Sequence, residues 1–244
     1  MLFLNEDKCK VLHLGNTEQL KEKKEYYING VQLSETLVEK DLGILVTSDL
    51  DWEKQIVKSC STTTFVSKLI FKTFKYKSVE IIRMIYKSLI RPKLEYANVI
   101  WSPIKKAHIQ MLEKVQRRCT KYGPLFKLNY EDRLIRLGLT SLETRRKRGD
   151  VIQMFKYVKG IDRINFVNPP VFLKTSTRGH QFKYHREDLN CKSHKSRSNY
   201  FLNRVWSDWN RLPEKALEVT TVNESKNYID KLEQFSVKSK LVRK

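Results

Sequence analysis

The stretch from residue 78 to residue 103 constrains the fold more than any other part of the sequence. Its apolar residues recur at helical spacing, on a stripe long enough for about four turns. The stripe consists of Ile81, Ile82, Ile85, Tyr86, Leu89 and Ile90. Ser78 is expected to cap this helix, and Pro92 is expected to end it because proline lacks an N–H. A second apolar block follows as far as Trp101, so the stretch predicts a packed helical corner.

Short strand patterns are confined to the first fifty residues. Asn29-Gly30 lies between Ile28 and Val31, which predicts a hairpin with a type I′ turn because both central residues of that turn need positive φ. Residues 8–14 and 42–46 are further strand candidates. A sheet built from these pieces alone would be small.

Helical periodicity dominates the remaining sequence. Apolar residues at helical spacing predict amphipathic helices over 52–75, 105–122 and 200–209. A break at 61–64 is an open alternative, because Ser and Thr are weak helix formers. Thr140 and Glu143 have capping-box spacing and are expected to open a helix that closes at Gly160. Asn223 is expected to cap the last helix.

Together these patterns predict an α+β fold that is mostly α. A small β-rich piece precedes a helical bundle and a C-terminal helical region. The predicted segments are a β-rich segment (1–50), a helical domain (51–125), a basic helical extension (126–160), a basic connector (161–198), C-terminal helices (199–236) and a basic tail (237–244).

The net charge points to a polyanionic partner. The chain has 48 Lys and Arg against 27 Asp and Glu, a formal charge of +21 that far exceeds what solubility requires. Nucleic acid is the usual partner of such a surface, and an acidic membrane is a less frequent one. No apolar run approaches the ~20 residues that span a bilayer. We therefore expect an intracellular protein, nuclear or cytoplasmic or both, with no membrane partner.

Basic side chains gather on the polar faces of three predicted helices. In the helix over 105–122 they lie opposite the apolar face, at spacings of three and four residues. The residues predicted to contact nucleic acid are Lys54, Lys58, Lys68, Lys72, Lys114, Arg117, Arg118, Lys121, Arg145, Arg146 and Arg148. The last three belong to an RRKR cluster, which is alternatively a nuclear import signal.

No residue pattern indicates a catalytic or metal site. Asp49 and Asp51 are interpreted as caps near the start of the helix at Trp52 rather than as a metal-binding pair. A looser set of potential zinc ligands comprises His180, His185, Cys191 and His194. Structural zinc sites favour tighter paired ligands, so no metal is predicted. The four cysteines are far apart in sequence and are expected to be reduced thiols.

Several short motifs follow one another along the chain. The longest is the run from Leu89 to Ala97, which is followed by Trp101-Ser102-Pro103. The others are Asn5, Lys8 and Cys9, then Lys40-Asp41-Leu42-Gly43, residues 113–118, residues 145–150, residues 177–180 and residues 209–213. In this order they resemble the reverse transcriptases of non-LTR (LINE-like) retrotransposons of the jockey type, from about residue 2 to about residue 235.

The resemblance implies the C-terminal part of such an enzyme. Segment 1–50 would be a palm remnant with a primer grip at Leu42 and Gly43, and segment 51–125 would be the thumb. The family holds two Mg²⁺ ions on palm aspartates, one of them in a turn upstream of the strand matched by 8–14. This sequence has no such turn, so the resemblance implies no catalytic residue, no cofactor and no enzymatic activity for this chain alone.

The expected partner is RNA or an RNA–DNA duplex, held through backbone phosphates. Two alternatives stay open at the level of sequence. The chain is alternatively a free-standing helical RNA- or DNA-binding protein with a cellular role. As a second alternative, the chain is a fragment that completes the palm of a separate polypeptide, one that supplies the upstream palm and fingers.

Overall fold

A computed structural model describes residues 5–15, 24–173, 179–187 and 195–232 of the chain. The chain forms two compact units, Met1–Ser59 and Cys60–Lys244. Helices dominate and strands are short, which confirms the predicted α+β, mostly α class.

The described part of the first unit contains six short strands that pair two by two. One pair is parallel and two are antiparallel. The pairs are β1 (Lys10–Val11) with β4 (Ser34–Glu35), β2 (Tyr27–Ile28) with β3 (Val31–Gln32), and β5 (Val38–Asp41) with β6 (Ile44–Thr47). The strand predicted over 8–14 is shorter than expected: a 3-10 turn occupies Glu6–Lys8, and the strand is limited to Lys10–Val11.

Both antiparallel pairs close through turns whose two central residues have positive φ. Asn29 (φ 49°) and Gly30 (φ 81°) form the predicted hairpin turn. Leu42 (φ 42°) and Gly43 (φ 87°) repeat this geometry, so the prediction of a strand starting at residue 42 was wrong. Leucine is disfavoured in the left-handed region by roughly 1–2 kcal/mol, and the sequence therefore carried no turn signal there.

Helix α1 (Glu53–Thr73) continues without a break through the Ser/Thr run at 61–64. Asp51 accepts a hydrogen bond from the backbone N–H of Glu53 at 3.1 Å, and Asp49 accepts one from the N–H of Asp51 at 3.0 Å. These contacts confirm the interpretation of the two aspartates as caps. Later in the helix, Ser67 donates to the carbonyl of Thr64 at 2.9 Å, so its buried hydroxyl is satisfied inside the helix.

The prediction that Pro92 ends its helix was wrong. The chain remains helical through α2 (Val79–Ile85), a π turn (Tyr86–Ile90) and α3 (Arg91–Glu95). The N–H of Arg91 bonds to the carbonyl of Tyr86, five residues back. This wider turn places Pro92 in the first turn of α3, where its missing N–H is not required. Ser78 caps α2, as predicted, by accepting from the N–H of Ile81 at 3.3 Å.

The described part of the chain after α3 contains seven further helices. They are α4 (Lys106–Cys119), α5 (Tyr130–Leu137), α6 (Leu142–Val158), α7 (Lys195–Ser198), α8 (Phe201–Asn210), α9 (Lys215–Glu218) and α10 (Val222–Lys231). The N-cap of α6 is Ser141 rather than Thr140, and that of α10 is Thr221 rather than Asn223. Ser, Thr and Asn are all favourable N-cap residues, so the sequence alone did not indicate which of the neighbouring candidates caps each helix.

A hydrophobic core joins α6, α8, α9 and α10. Its centre is Trp209, which is fully buried. Part of the predicted connector also belongs to it: the Tyr184 hydroxyl donates to the carbonyl of Leu202 at 2.7 Å, and Trp209 Nε1 donates to that of Phe182 at 2.9 Å. Residues 179–187 are therefore fastened to α8 and are not a loose basic loop.

Candidate nucleic-acid interface

Helix α4 has one buried face, which holds it in a fixed rotation. Leu112, Val115 and Cys119 are buried on this face. Gln116 lies among them and is fully buried, so its amide requires internal partners. This apolar face was predicted from the spacing of the sequence.

A buried polar network provides those partners. Tyr86 donates to Gln116, and Gln116 Nε2 donates to the Tyr130 hydroxyl at 2.8 Å and to the carbonyl of Thr140 at 3.0 Å. Tyr130 in turn donates to Glu113, which also accepts the N–H of Leu142 at 3.0 Å. The network connects α4 to the π turn, to α5 and to the start of α6. It therefore fixes which residues α4 presents to solvent.

Three of the predicted cations, Lys114, Arg117 and Arg118, lie on the opposite face of α4. The fourth, Lys121, follows two residues after the end of the helix, which is shorter than the predicted 105–122. All four are exposed, and together they are called the α4 face. The Arg117 guanidinium lies 4.6 Å from the centre of the Tyr130 ring, and Lys121 Nζ lies 5.0 Å from that of Phe126. Lys114 and Arg118 form no ion pair with any described residue. The face therefore keeps its positive charge.

The second half of α1 contacts the end of α4. The rings of Phe71 and Tyr122 stack with their centroids 4.0 Å apart, and Ser67 lies close enough to the Cys119 thiol to influence its pKa. Burial raises the pKa of that thiol. The predicted contact residues Lys68 and Lys72 follow Ser67 and Phe71 directly, and both are exposed.

The other two predicted lysines of α1 belong to the first unit. Lys54 is exposed and Lys58 is partly exposed. The predicted primer-grip residues, Leu42 and Gly43, form the tip of the β5–β6 hairpin in the same unit, with 82% of the Leu42 side chain exposed. These residues are accessible to a ligand.

The RRKR cluster of α6 does not form the exposed basic face that was predicted. Arg146 is buried; it donates to the carbonyl of Leu94 at 2.9 Å and stacks on Trp101. Burial lowers the pKa of its guanidinium to about 10. It therefore cannot contact a phosphate in this fold, and the prediction for Arg146 was wrong.

The neighbouring arginines of the cluster are held by carboxylates. Arg145 Nη2 lies 3.1 Å from an oxygen of Glu95, and Arg148 Nη2 lies 2.8 Å from one of Asp230. These pairs link α6 to α3 and to α10. Neither acidic partner is near the cluster in sequence, so sequence spacing could not distinguish an internal link from a phosphate contact.

The predicted absence of a metal site stays a prediction. No group of three His, Cys, Asp or Glu side chains is placed to bind a metal within the described residues, and Cys191 and His194 lie outside them. His185 is exposed. His180 is buried, and its Nε2 lies 3.0 Å from the carbonyl oxygen of Trp209.

This burial gives His180 a testable influence on stability. Burial lowers the pKa of His180, whereas the unfolded residue titrates near about 6.5. As the pH falls through that value, the unfolded chain binds a proton that the folded chain excludes, so stability decreases. Between about pH 7.5 and 5.5, the denaturation midpoint of the wild type should fall more than that of His180→Gln. His185→Gln should behave like the wild type; an equal fall in all three proteins would contradict this role.

A second group of cations was missed from the sequence. Arg83, Lys87 and Arg91 recur every four residues along α2, the π turn and α3. The four-residue spacing of these cations was visible in the sequence. It was overlooked because the apolar residues of the same segment also recur at helical spacing.

Comparisons of the chain with protein-family models, with curated proteins and with solved structures found no match. Within the described residues, no helix is both long enough and apolar enough to cross a membrane.

Proposed function

We propose that this chain binds RNA or an RNA–DNA duplex through backbone phosphates, using the exposed cations of α4 and of the second half of α1. The observation that carries the proposal is the basic face of α4. Lys114, Arg117 and Arg118 repel one another at helical spacing, and Lys121 adds a fourth charge just past the helix. No described carboxylate neutralises them. Phosphates bound along the face would relieve this repulsion.

The contact between α1 and α4 supports a wider surface. Phe71 stacks on Tyr122, three residues past the end of α4, so the second half of α1 lies beside the C-terminal end of that helix. Lys68 and Lys72 are both exposed, and Lys72 directly follows the stacked Phe71. Several exposed cations distributed over two neighbouring segments suit a polynucleotide backbone better than a single small anion.

On the strength of the motif order, we further propose that the chain is the C-terminal part of a non-LTR retrotransposon reverse transcriptase. In this proposal it grips template and primer inside the cell, and the catalytic aspartates belong to another region of the enzyme. Asp49 and Asp51 are not proposed in their place, since one oxygen of each accepts a backbone N–H at or just before the start of α1.

We expect no templated DNA synthesis from this chain alone, because in-line phosphoryl transfer in this family needs a carboxylate pair for two metal ions. Primer extension on poly(rA)/oligo(dT) with Mg²⁺ or Mn²⁺ should stay at background. Incorporation that depends on the template, by protein free of other polymerases, would contradict this expectation.

The proposed interface is tested by substituting glutamine for Lys114, Arg117, Arg118 and Lys121. At low salt, the Kd for an RNA–DNA hybrid should rise on the order of a hundred-fold, measured by fluorescence anisotropy. A matched control removes the same charge from exposed positions elsewhere: Arg163, Arg211, Lys215 and Lys231. The control should bind nearly as the wild type does. Equal losses in the two variants would reduce the interaction to bulk charge and contradict the assignment to α4.

A further inference from the structure

Four cations gather beside the π turn, and two of them share one carboxylate. Arg91 Nε lies 3.7 Å from Oε2 of Glu95, and Arg145 Nη2 lies 3.1 Å from the same oxygen. Lys87 lies four residues from both Arg83 and Arg91 along the same continuous helical segment. Burial lowers the pKa of Lys87, and the nearby charges of Arg91, Arg83 and Arg145 lower it further.

The arrangement leaves positive charge without a partner. Glu95 neutralises one unit of charge and is shared by Arg91 and Arg145. Arg83 donates to the carbonyls of Leu137 and Arg136, at 3.0 and 2.9 Å, which fixes its position but removes no charge. Lys87 makes no ion pair or hydrogen bond with the described residues.

The backbone explains why these side chains converge. Residues four apart on a regular α-helix drift by about 40° per step, so Arg83 and Arg91 would be about 80° apart. The π turn at Tyr86–Ile90 takes more residues per turn and removes part of this drift. π turns occur frequently at functional sites, and this one is held by the buried hydrogen bond from Tyr86 to Gln116.

We propose that Lys87, Arg91 and Arg145 form a binding site for a phosphate group, positioned by the π turn and by Arg83. Guanidinium groups favour phosphate because their paired N–H groups match two of its oxygens, and the lysine adds a flexible third donor. All three side chains are partly exposed, so a ligand can reach them from solvent.

Two sources of phosphate have this chemistry: a phosphodiester of a bound polynucleotide and a free oligophosphate. The site uses no residue of the α4 face. If this site binds no phosphate, the proposed function of the α4 face is unaffected. If the α4 face binds no nucleic acid, the proposed phosphate site is unaffected.

The site is tested by titrating the full chain with inorganic tripolyphosphate and, separately, with an RNA–DNA hybrid. NMR resonances of the Nε–H groups of Arg91 and Arg145 report on the site. Tripolyphosphate should shift both resonances with saturation. Lys87→Gln should weaken this binding about ten-fold, because it removes one charge-assisted hydrogen bond. Lys87→Arg should restore it.

Lys147→Gln is the matched control. Lys147 pairs with Glu143 at 3.1 Å and does not belong to the group of cations beside the π turn. A hybrid that shifts the same resonances, with an affinity reduced by Lys87→Gln, identifies a phosphodiester as the ligand. A response to tripolyphosphate alone identifies a free oligophosphate. The proposal is overturned if neither ligand gives a saturable shift at Arg91 and Arg145, or if Lys87→Gln binds both ligands as the wild type does.

Discussion

Replacing Trp209 with alanine is expected to lower the free energy of unfolding by about 3–5 kcal/mol, the usual cost of emptying a large aromatic site in a core. Trp209 is fully buried in the cluster formed by α6, α8, α9 and α10. Its indole N–H bonds to Phe182 and its carbonyl bonds to His180. The substitution therefore removes packing and also one of the hydrogen bonds that fasten residues 179–187 to α8.

A graded series separates these contributions. Trp209→Phe keeps most of the ring volume but leaves the Phe182 carbonyl without its donor, so it should cost about 1–3 kcal/mol. Tyr76→Ala should be nearly neutral, because 82% of the Tyr76 side chain is exposed. Guanidinium denaturation followed by far-ultraviolet circular dichroism measures all three variants. A Trp209→Ala protein as stable as Tyr76→Ala would show that this core is wrongly assigned.

Features set by neighbouring residues were predictable from the sequence. The Asn29-Gly30 turn, the Ser78 cap and the amphipathic face of α4 depend on local chemistry, and each is present. The same holds for the capping role of Asp51. In these cases the neighbouring residues are sufficient to predict the feature.

Features that depend on distant partners were not predictable. Arg146 has the composition of a phosphate contact, and only its packing on Trp101 reveals it as a core residue. Pro92 ends a helix by local rules, whereas the buried bond from Tyr86 to Gln116 holds the π turn that accommodates it. Leu42 adopts a turn conformation that leucine disfavours, which pairing of β5 with β6 imposes.

The same contrast between local and distant determinants applies to the residues of the candidate interface. The cations of α4 lie opposite a continuous apolar face, so helical spacing alone placed them in solvent. Arg145 and Arg148 lie on a helix with contacts on several sides, and their acidic partners are 50 and 82 residues away in sequence. Position on an amphipathic helix was therefore a better guide to exposure than the density of basic residues.

Substituting glutamine for Lys114, Arg117, Arg118 and Lys121 should lower the salt dependence of nucleic-acid binding by about two to four units of slope. Each phosphate contact contributes about −0.9 to the slope of log K against log salt on a duplex. The fold should be retained. Relief of like-charge repulsion contributes a few tenths of a kcal/mol per pair. The loss of two cation–π contacts costs about 0.5–1 kcal/mol each.

The dependence of binding on salt concentration is the most direct test of the proposal that the α4 face contacts phosphates. Affinity for one RNA–DNA hybrid is measured across a range of salt concentrations for the wild type, the α4 variant and the charge-matched control. We expect a shallower slope for the α4 variant, an almost unchanged slope for the control, and the same helical content in all three proteins. An α4 variant with the wild-type slope would mean that this face is merely solvated, and would contradict the assignment of the interface.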